Sequence, residues 1–450
     1  MSNEVNVMQI PGYYYDPVKK KYFKVMSTGP YSRQNYQKAQ TDQNEQGREP
    51  APKRFARITP LSSYCRMREV QTRTPIVKSI SNGYIGLLAT LGKPQKVAIL
   101  GTAALTATDT ARPTALEIHP TKNHLLLGLA NGTNAQAQFS ISWPHGFQQQ
   151  ALTLSPHGSE ITCISMGSYN RGAVCTMGNG RTPPNLAFIY VDLPEEYDDT
   201  NYLRPGETLN FSGFPAWGSF WCCDQSKVDE SRAVLGTDNH AVYFKDCKPS
   251  AYYFTDSAVL TAQIDPVQPN LFLGGCRDGR IKLFDARVDR RKVDARRGHS
   301  PYMIRHKSPI THLHKLGSSF HIVAAGMDGS LQTWDMRGHT TAHTNYQQRQ
   351  SPVFRFNGHK NVHTRSLGFD VLNDAHVVAA AGDDHVIRLW SLKGDSTDPF
   401  HAIPMTAPIP ALKFCANSGP YQTRDRSLGM LACTDEQDSP LQWLSVGASK

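Results

Sequence analysis

The sequence predicts an all-β fold: a closed ring of small antiparallel sheets behind an irregular N-terminal arm. Two observations predict the ring. A strand–turn–strand unit recurs in the C-terminal half, and shorter alternating apolar segments bounded by turn residues fill much of the chain upstream. A third predicts the arm: residues 27–60 are rich in Gln, Asn, Ser, Thr and Pro and poor in aliphatics, so burial cannot offset their ordering entropy. The organisation expected is therefore an arm over 1–60 and a ring over 61–450.

The repeat is plainest in three segments. "LFLGGCRDGRIKLFDAR" at 271–287 aligns with "HIVAAGMDGSLQTWDMR" at 321–337 and with "HVVAAAGDDHVIRLWSLKG" at 376–394. Each has an apolar strand, a turn holding Asp278, Asp328 or Asp384, and a strand reaching Phe284, Trp334 or Trp390 six residues later. The units resemble WD40 repeats, which implies a β-propeller. Gly298-His299 and Gly358-His359 stand at suitable distances before Trp334 and Trp390, so the resemblance implies a structural network of His299, Asp328 and Trp334 in one blade and His359, Asp384 and Trp390 in the next. Ala fills the place where the family has Ser or Thr, so that network is expected to be partial and packing to carry more of the order.

Alternation and turn signals place blades at about 113–142, 161–193, 218–247, 258–288, 309–338, 362–393 and 409–446, seven in all. A strand from 84–101 is expected to complete the last blade and close the ring, leaving no open sheet edge. An eighth blade from 64–105 is the alternative count.

Lys and Arg number 48 against 38 Asp and Glu, a net charge of +10 that favours acidic partners without requiring a polyanion. The longest apolar runs are far too short to span a bilayer, and the first thirty residues lack a secretory leader pattern. An intracellular protein, nuclear or cytoplasmic, is expected, with no membrane partner. Nine scattered Cys without a Cys-x-x-Cys pair read as small core residues. His312 and His314 can share a strand face, but no third ligand accompanies them, so no metal site is expected. No catalytic motif and no cofactor signature is found, and Pro94 spoils the nearest imitation of a phosphate loop at 86–93. The expectation is a non-enzymatic chain without a cofactor.

Two motifs bear on function. Asp285-Ala-Arg287 and Asp335-Met-Arg337 stand just past the third strand of consecutive units, on one face of the ring. There an Asp caps the turn while an Arg offers a planar fork to carboxylates and carbonyls, or the pair only orders its own turn. The doublet resembles the paired WDxR boxes of receptors that bring substrates to cullin-4 RING ubiquitin ligases by docking on the adaptor damaged-DNA-binding protein 1. Phe284 departs from the pattern at the first box, and Ser391 and Lys393 remove a third. The second motif is "PGYYYDPVKKKYFKV" at 11–25, where Tyr13, Tyr14, Tyr15, Tyr22 and Phe23 crowd around Asp16-Pro17. Aromatics in such an arm are expected to dock on the ring or on a partner. The segment resembles an element preceding the propeller in the WD-repeat-21 or associated-factor-4 type of these receptors.

The resemblance implies a substrate receptor with Asp285, Arg287, Asp335 and Arg337 toward the adaptor and cullin-4 core, and an unidentified protein substrate on the other face and arm. The competing expectation is a WD40 scaffold in nuclear RNA or chromatin complexes. The basic stretch 287–300 could hold phosphates, but it lacks interleaved aromatics for base stacking and its expected strand at 293–297 spreads its charges over two faces. A solvated outer strand is favoured over a nucleic-acid site.

Overall fold

The computed structural model describes residues 13–16, 21–24, 85–92, 94–96, 112–119, 124–131, 134–138, 152–154, 158–169, 171–190, 209–210, 218–288, 304–317, 319–339, 351–394, 396–415, 429–436 and 441–445. By its contacts the chain divides into residues 1–60 and 61–450. In the first unit Tyr13–Asp16 and Lys21–Lys24 pair as an antiparallel hairpin. Its register sets Tyr15 opposite Tyr22, and their rings lie 4.9 Å apart. The linker expected at 27–60 lies outside the described residues.

In the second unit the described strands form seven four-stranded antiparallel sheets. Their first strands are Pro113–Ile118, Ile161–Met166, Phe220–Gln225, Val259–Ile264, Ile310–Lys315, Phe369–Leu372 and Ala411–Cys415. Most of these strands lie directly beside the first strand of the next sheet, and Ala411–Cys415 returns to Pro113–Ile118. Between the fifth and sixth sheets the same junction is made by His312, whose ring stacks on Phe369 at 5.0 Å. The first strands therefore line a central channel, and the sheets radiate from it as a β-propeller.

The core lies between the sheets rather than in one place. Each of seven buried apolar clusters fills the gap between two consecutive sheets, the last joining Leu431 and Trp443 to Leu116 and Leu127. Between the third and fourth sheets Phe272 stacks on Phe284 at 4.7 Å and Tyr253 meets Phe284 at 5.1 Å. Burying several aromatics there contributes roughly 1.5–3 kcal/mol per side chain.

The strand expected from 84–101 is present: Gln95–Lys96 pairs with Leu441–Ser445 and completes the seventh sheet. It forms no separate blade. Sequence boundaries captured the first three strands of each sheet and missed most of the fourth. Leu152–Leu154 and Leu209–Asn210 fall between the expected blades, and Ile304–Arg305 and Phe354–Phe356 follow long connections. Outer strands of two or three residues show no alternation to read. The strand expected at 293–297 lies outside the described residues.

Among the described residues eight cysteines are free thiols, six of them buried, in keeping with a core role. No helix among the described residues is long and apolar enough to cross a membrane.

Candidate functional site: paired forks on one face of the ring

Asp285 ends the strand Arg280–Asp285, and Asp335 ends Leu331–Asp335, the third strands of the fourth and fifth sheets. The backbone leaves both strands with the same bond: the N–H of Ala286 donates to the Asn270 carbonyl and that of Met336 to the Phe320 carbonyl, each at 2.8 Å. In the first box the Arg287 backbone N–H, Nε and Nη2 all donate to Asp285, at 3.0, 2.9 and 2.8 Å. In the second the same three groups of Arg337 reach Asp335 at 2.9, 3.1 and 2.7 Å.

The site is thus two copies of one bidentate fork on neighbouring sheets. Each Asp does cap its turn, and it also holds its own Arg in a fixed planar orientation. Arg287 remains 61% exposed and Arg337 42%. The Asp285 carboxylate raises the pKa of Arg287. Arg337 lies over the ring of Phe320, 5.3 Å from its centroid.

Phe284 does not disturb the first fork. It is buried, and the Tyr253 hydroxyl donates to the Asp285 carbonyl at 3.0 Å, fixing the strand end. The counterpart Trp334 has a buried indole N–H with no hydrogen-bond partner, so a phenyl ring loses nothing polar there. In the sixth sheet the backbone is alike, Leu392 N–H donating to the His376 carbonyl, but Ser391 bonds the Lys393 N–H in place of a carboxylate.

His299 lies outside the described residues. Beside Trp334, His306 Nε2 meets Ser330 Oγ at 3.1 Å, with Ser330 donating to Asp328 and the His306 ring 6.1 Å from Trp334. The missing hydroxyl is supplied by the turn, two residues after Asp328. Burial works against the Asp328 charge, yet the bonds from Ser330 hold its pKa below the usual carboxylate value. In the sixth sheet the described bonds of His359, Trp390 and Asp384 go to separate partners. His359 contacts the Gly329 and Ala381 carbonyls, Trp390 Nε1 donates to the Asn357 carbonyl at 2.9 Å, and Asp384 pairs with Arg388 and Lys360. The Arg388 bonds bring the Asp384 pKa down to about 2.

His312 and His314 share a strand as expected, but they pack against Phe369 and Asn373, and no group of His, Cys, Asp or Glu among the described residues is placed to hold a metal. Of the aromatic arm, Tyr13 and Tyr22 are exposed on the hairpin, Tyr15 is half-buried against Tyr22, and the side chains of Tyr14 and Phe23 lie outside the description.

Sequence reasoning missed two groups. Along the channel, Lys413 Nζ sits 2.8 Å from Glu117 and 3.6 Å from Asp370, and Lys227 lies 3.3 Å from Glu117. Burial opposes the Lys413 charge, but Glu117 and Asp370 outweigh it and raise its pKa. At the opposite end of the ring from the forks, Trp221 donates to Asp238 at 2.6 Å while Arg277 and Arg365 lie 5.2 and 4.9 Å from its centroid. A bulge early in the first strand recurs in five sheets, and Thr114, Thr162 and Thr311 bond backbone carbonyls from that position. Trp221 in the same position breaks the pattern, a signal the sequence carried.

Repeated antiparallel sheets around a channel define a WD40 β-propeller. The fold resembles that of the WD40 β-propeller domain of Doa1, with a TM-score of 0.53, 13% identity, and coverage of 75% of this chain and 94% of that one. Residues 167–431 match the family model described as the DDB1- and CUL4-associated factor 4 β-propeller domain, and the chain belongs to that family. It is 23% identical to DDB1- and CUL4-associated factor 4 of Bos taurus over 92% of this chain and 84% of the relative. It is 30% identical to DDB1- and CUL4-associated factor 4-like protein 2 of Homo sapiens over 42% of this chain and 44% of the relative, and 24% identical to WD repeat-containing protein 21 of Schizosaccharomyces pombe over 43% of each.

Proposed function

We propose that this protein is a non-enzymatic substrate receptor of a cullin-4 RING ubiquitin ligase, docking on DDB1 and presenting other proteins for ubiquitination. The observation that carries the reading is the pair of forks with the same bonding, Asp285–Arg287 and Asp335–Arg337, on adjacent sheets. One such pair orders a turn. Two in the same orientation, both with exposed guanidinium groups, present a matched set of donors to one partner surface. Family membership supports the same partner, since the relatives are named for association with DDB1 and CUL4.

In this reading the seven sheets are seven blades of one ring over 61–450, and 1–60 is an arm whose hairpin tyrosines, Tyr13, Tyr15 and Tyr22, meet a partner. Substrate binds away from the forks, and the protein works inside the cell.

The test is a titration of purified DDB1 into the full chain and into an Arg287→Ala/Arg337→Ala double variant, with Arg290→Ala/Arg291→Ala as a charge-matched control. Loss of one charge-assisted contact corresponds to roughly 10- to 150-fold in affinity. The double variant is expected to lose at least that much with unchanged melting, and the control to bind normally. DDB1 binding by the double variant equal to that of the unaltered protein defeats the docking role, and equal loss in the control reduces it to bulk charge.

A further inference from the structure

In an antiparallel sheet the end of the first strand, the start of the second and the end of the third lie at one edge. The loops joining first to second strands therefore share a face with both forks. On four consecutive sheets the tip of that loop presents one large apolar side chain to solvent: Tyr169 is 68% exposed, Val228 56%, Val267 54% and Phe320 50%. Val288, beside Arg287, adds another on the same face. The other exposed large apolar residues among the described residues of this unit scatter: Val362 toward the opposite face, Tyr252 and Phe254 on the outer strand Lys248–Phe254, and Leu87 in a helical turn. Single exposed apolar residues are ordinary, but an arc on four neighbouring sheets, all at one face, is a patch of the kind that marks a protein interface.

The loops carrying Tyr169, Val228 and Val267 are each tied to an adjacent sheet. The Tyr169 carbonyl meets His119 Nε2, and the Tyr169 N–H donates to Glu230. Ser168 Oγ donates to the Lys227 carbonyl at 2.6 Å, so the loops carrying Tyr169 and Val228 are joined. The Tyr243 hydroxyl donates to the Pro269 carbonyl at 2.8 Å, and Lys315 Nζ lies 2.6 Å from Asp265, which also takes the Val267 N–H. Tips anchored in this way lose little freedom on association. At its far end the arc runs into the second fork, where Arg337 covers the Phe320 ring.

We propose that Tyr169, Val228, Val267, Val288 and Phe320 form the apolar core of the surface that seats DDB1, with the forks of Arg287 and Arg337 as its charged rim. The inference rests on the receptor reading above and assigns that interface the part which excludes water. The forks alone are exposed ion pairs, open to salt and to competing solvent. An apolar arc continuous with them supplies burial that salt does not weaken. The partner surface that fits is an apolar recess bordered by carboxylates or carbonyls.

The experiment titrates purified DDB1 into the full chain carrying Tyr169→Ser, Val228→Ser and Val267→Ser together, which leaves both forks and Phe320 in place. A control carries Tyr252→Ser, Phe254→Ser and Val362→Ser. A buried apolar side chain corresponds to roughly tenfold in affinity, so the triple variant is expected to bind at least a hundredfold more weakly, at low and high salt alike, and the control to bind normally. The fork variant, by contrast, is expected to narrow its deficit as salt rises. Amide exchange of the unaltered complex is expected to slow at 226–231 and 265–270, a reading independent of any variant's folding. If DDB1 binds and the triple variant binds within twofold of the unaltered protein, without slowed exchange in those loops, the arc is not the interface while the receptor reading stands. If DDB1 does not bind the unaltered protein at all, the receptor reading falls and the arc's assignment falls with it.

Discussion

Lys413 is the cation of the channel network, and its removal separates a structural charge from an ornamental one. In Lys413→Met, Asp370 loses its 3.6 Å partner and keeps the Phe414 N–H at 2.8 Å, while Glu117 keeps only Lys227 at 3.3 Å. Breaking a fully buried pair costs about 3–5 kcal/mol, and an exposed pair contributes about 0–1. The Lys413 side chain retains 29% exposure against 10% for Glu117, which sets the expectation between those limits, at about 2–3 kcal/mol. Urea denaturation at pH 7 reads that loss as a lower midpoint. The stranded acids also set a direction with pH. Burial raises the pKa of Asp370 even with Lys413 present, so without the lysine both acids protonate more readily and the deficit shrinks as pH falls toward 4. Adding Asp370→Asn and Glu117→Gln to Lys413→Met is expected to restore most of the midpoint. A deficit under about 0.5 kcal/mol, or one that grows on acidification, refutes the reasoning.

Two further outcomes concern stability. Burial holds His312 and His314 at about 4, with like charge from His359 and Lys413 adding for the first and from Lys413 for the second. The unfolded chain binds their protons near pH 6.5, so their contribution is complete above that pH and is lost as pH falls toward 4. Asp224, raised to about 6 by burial against Lys227 and its bonds from Ser165 and Ile264, runs the other way: its contribution falls as pH rises from about 4 to 6. Two histidines outweigh one carboxyl, so urea midpoints are expected to drop between pH 6.5 and 4.5, less steeply in His312→Gln/His314→Gln; equal slopes defeat the assignment. Gly279 has φ +80 and an added Cβ would stand 2.4 Å from the His306 carbonyl, so Gly279→Ala is expected to cost roughly 2–4 kcal/mol by thermal melting, and a neutral result would show the turn to be adaptable.

What could be read from the chain and what could not divide along one physical line. The second strands are continuous apolar runs, the third strands come closer to alternation, and the two enclose turns such as Arg277-Asp278-Gly279, so local pattern placed them. The forks were legible because Asp285 and Arg287 lie two residues apart. Lys413, Glu117 and Asp370 were not, because no sequence window contains all three and only the closing of the ring brings them together. His306 was missed for a different reason: the Gly-His signature pointed to Gly298-His299, while the hydroxyl that binds the structural histidine comes from Ser330 in the turn rather than from the strand. The hairpin of the arm was visible as an Asp-Pro turn among aromatics, but its register follows only from pairing Tyr13 with Lys24.

The strand Gln95–Lys96 bonds to Leu441–Ser445, residues separated by nearly the whole chain between the first sheet and the last. That pairing has a kinetic meaning. During synthesis each sheet can assemble as it leaves the ribosome, yet Gln95–Lys96, made early, waits for Leu441–Ser445 to be made, and until then Leu116 and Leu127 lack the neighbour, Leu431 and Trp443, that covers them. Until that step the ring is an open arc with two exposed apolar flanks. A chain interrupted late in translation leaves Leu116 and Leu127 without that cover and is expected to aggregate.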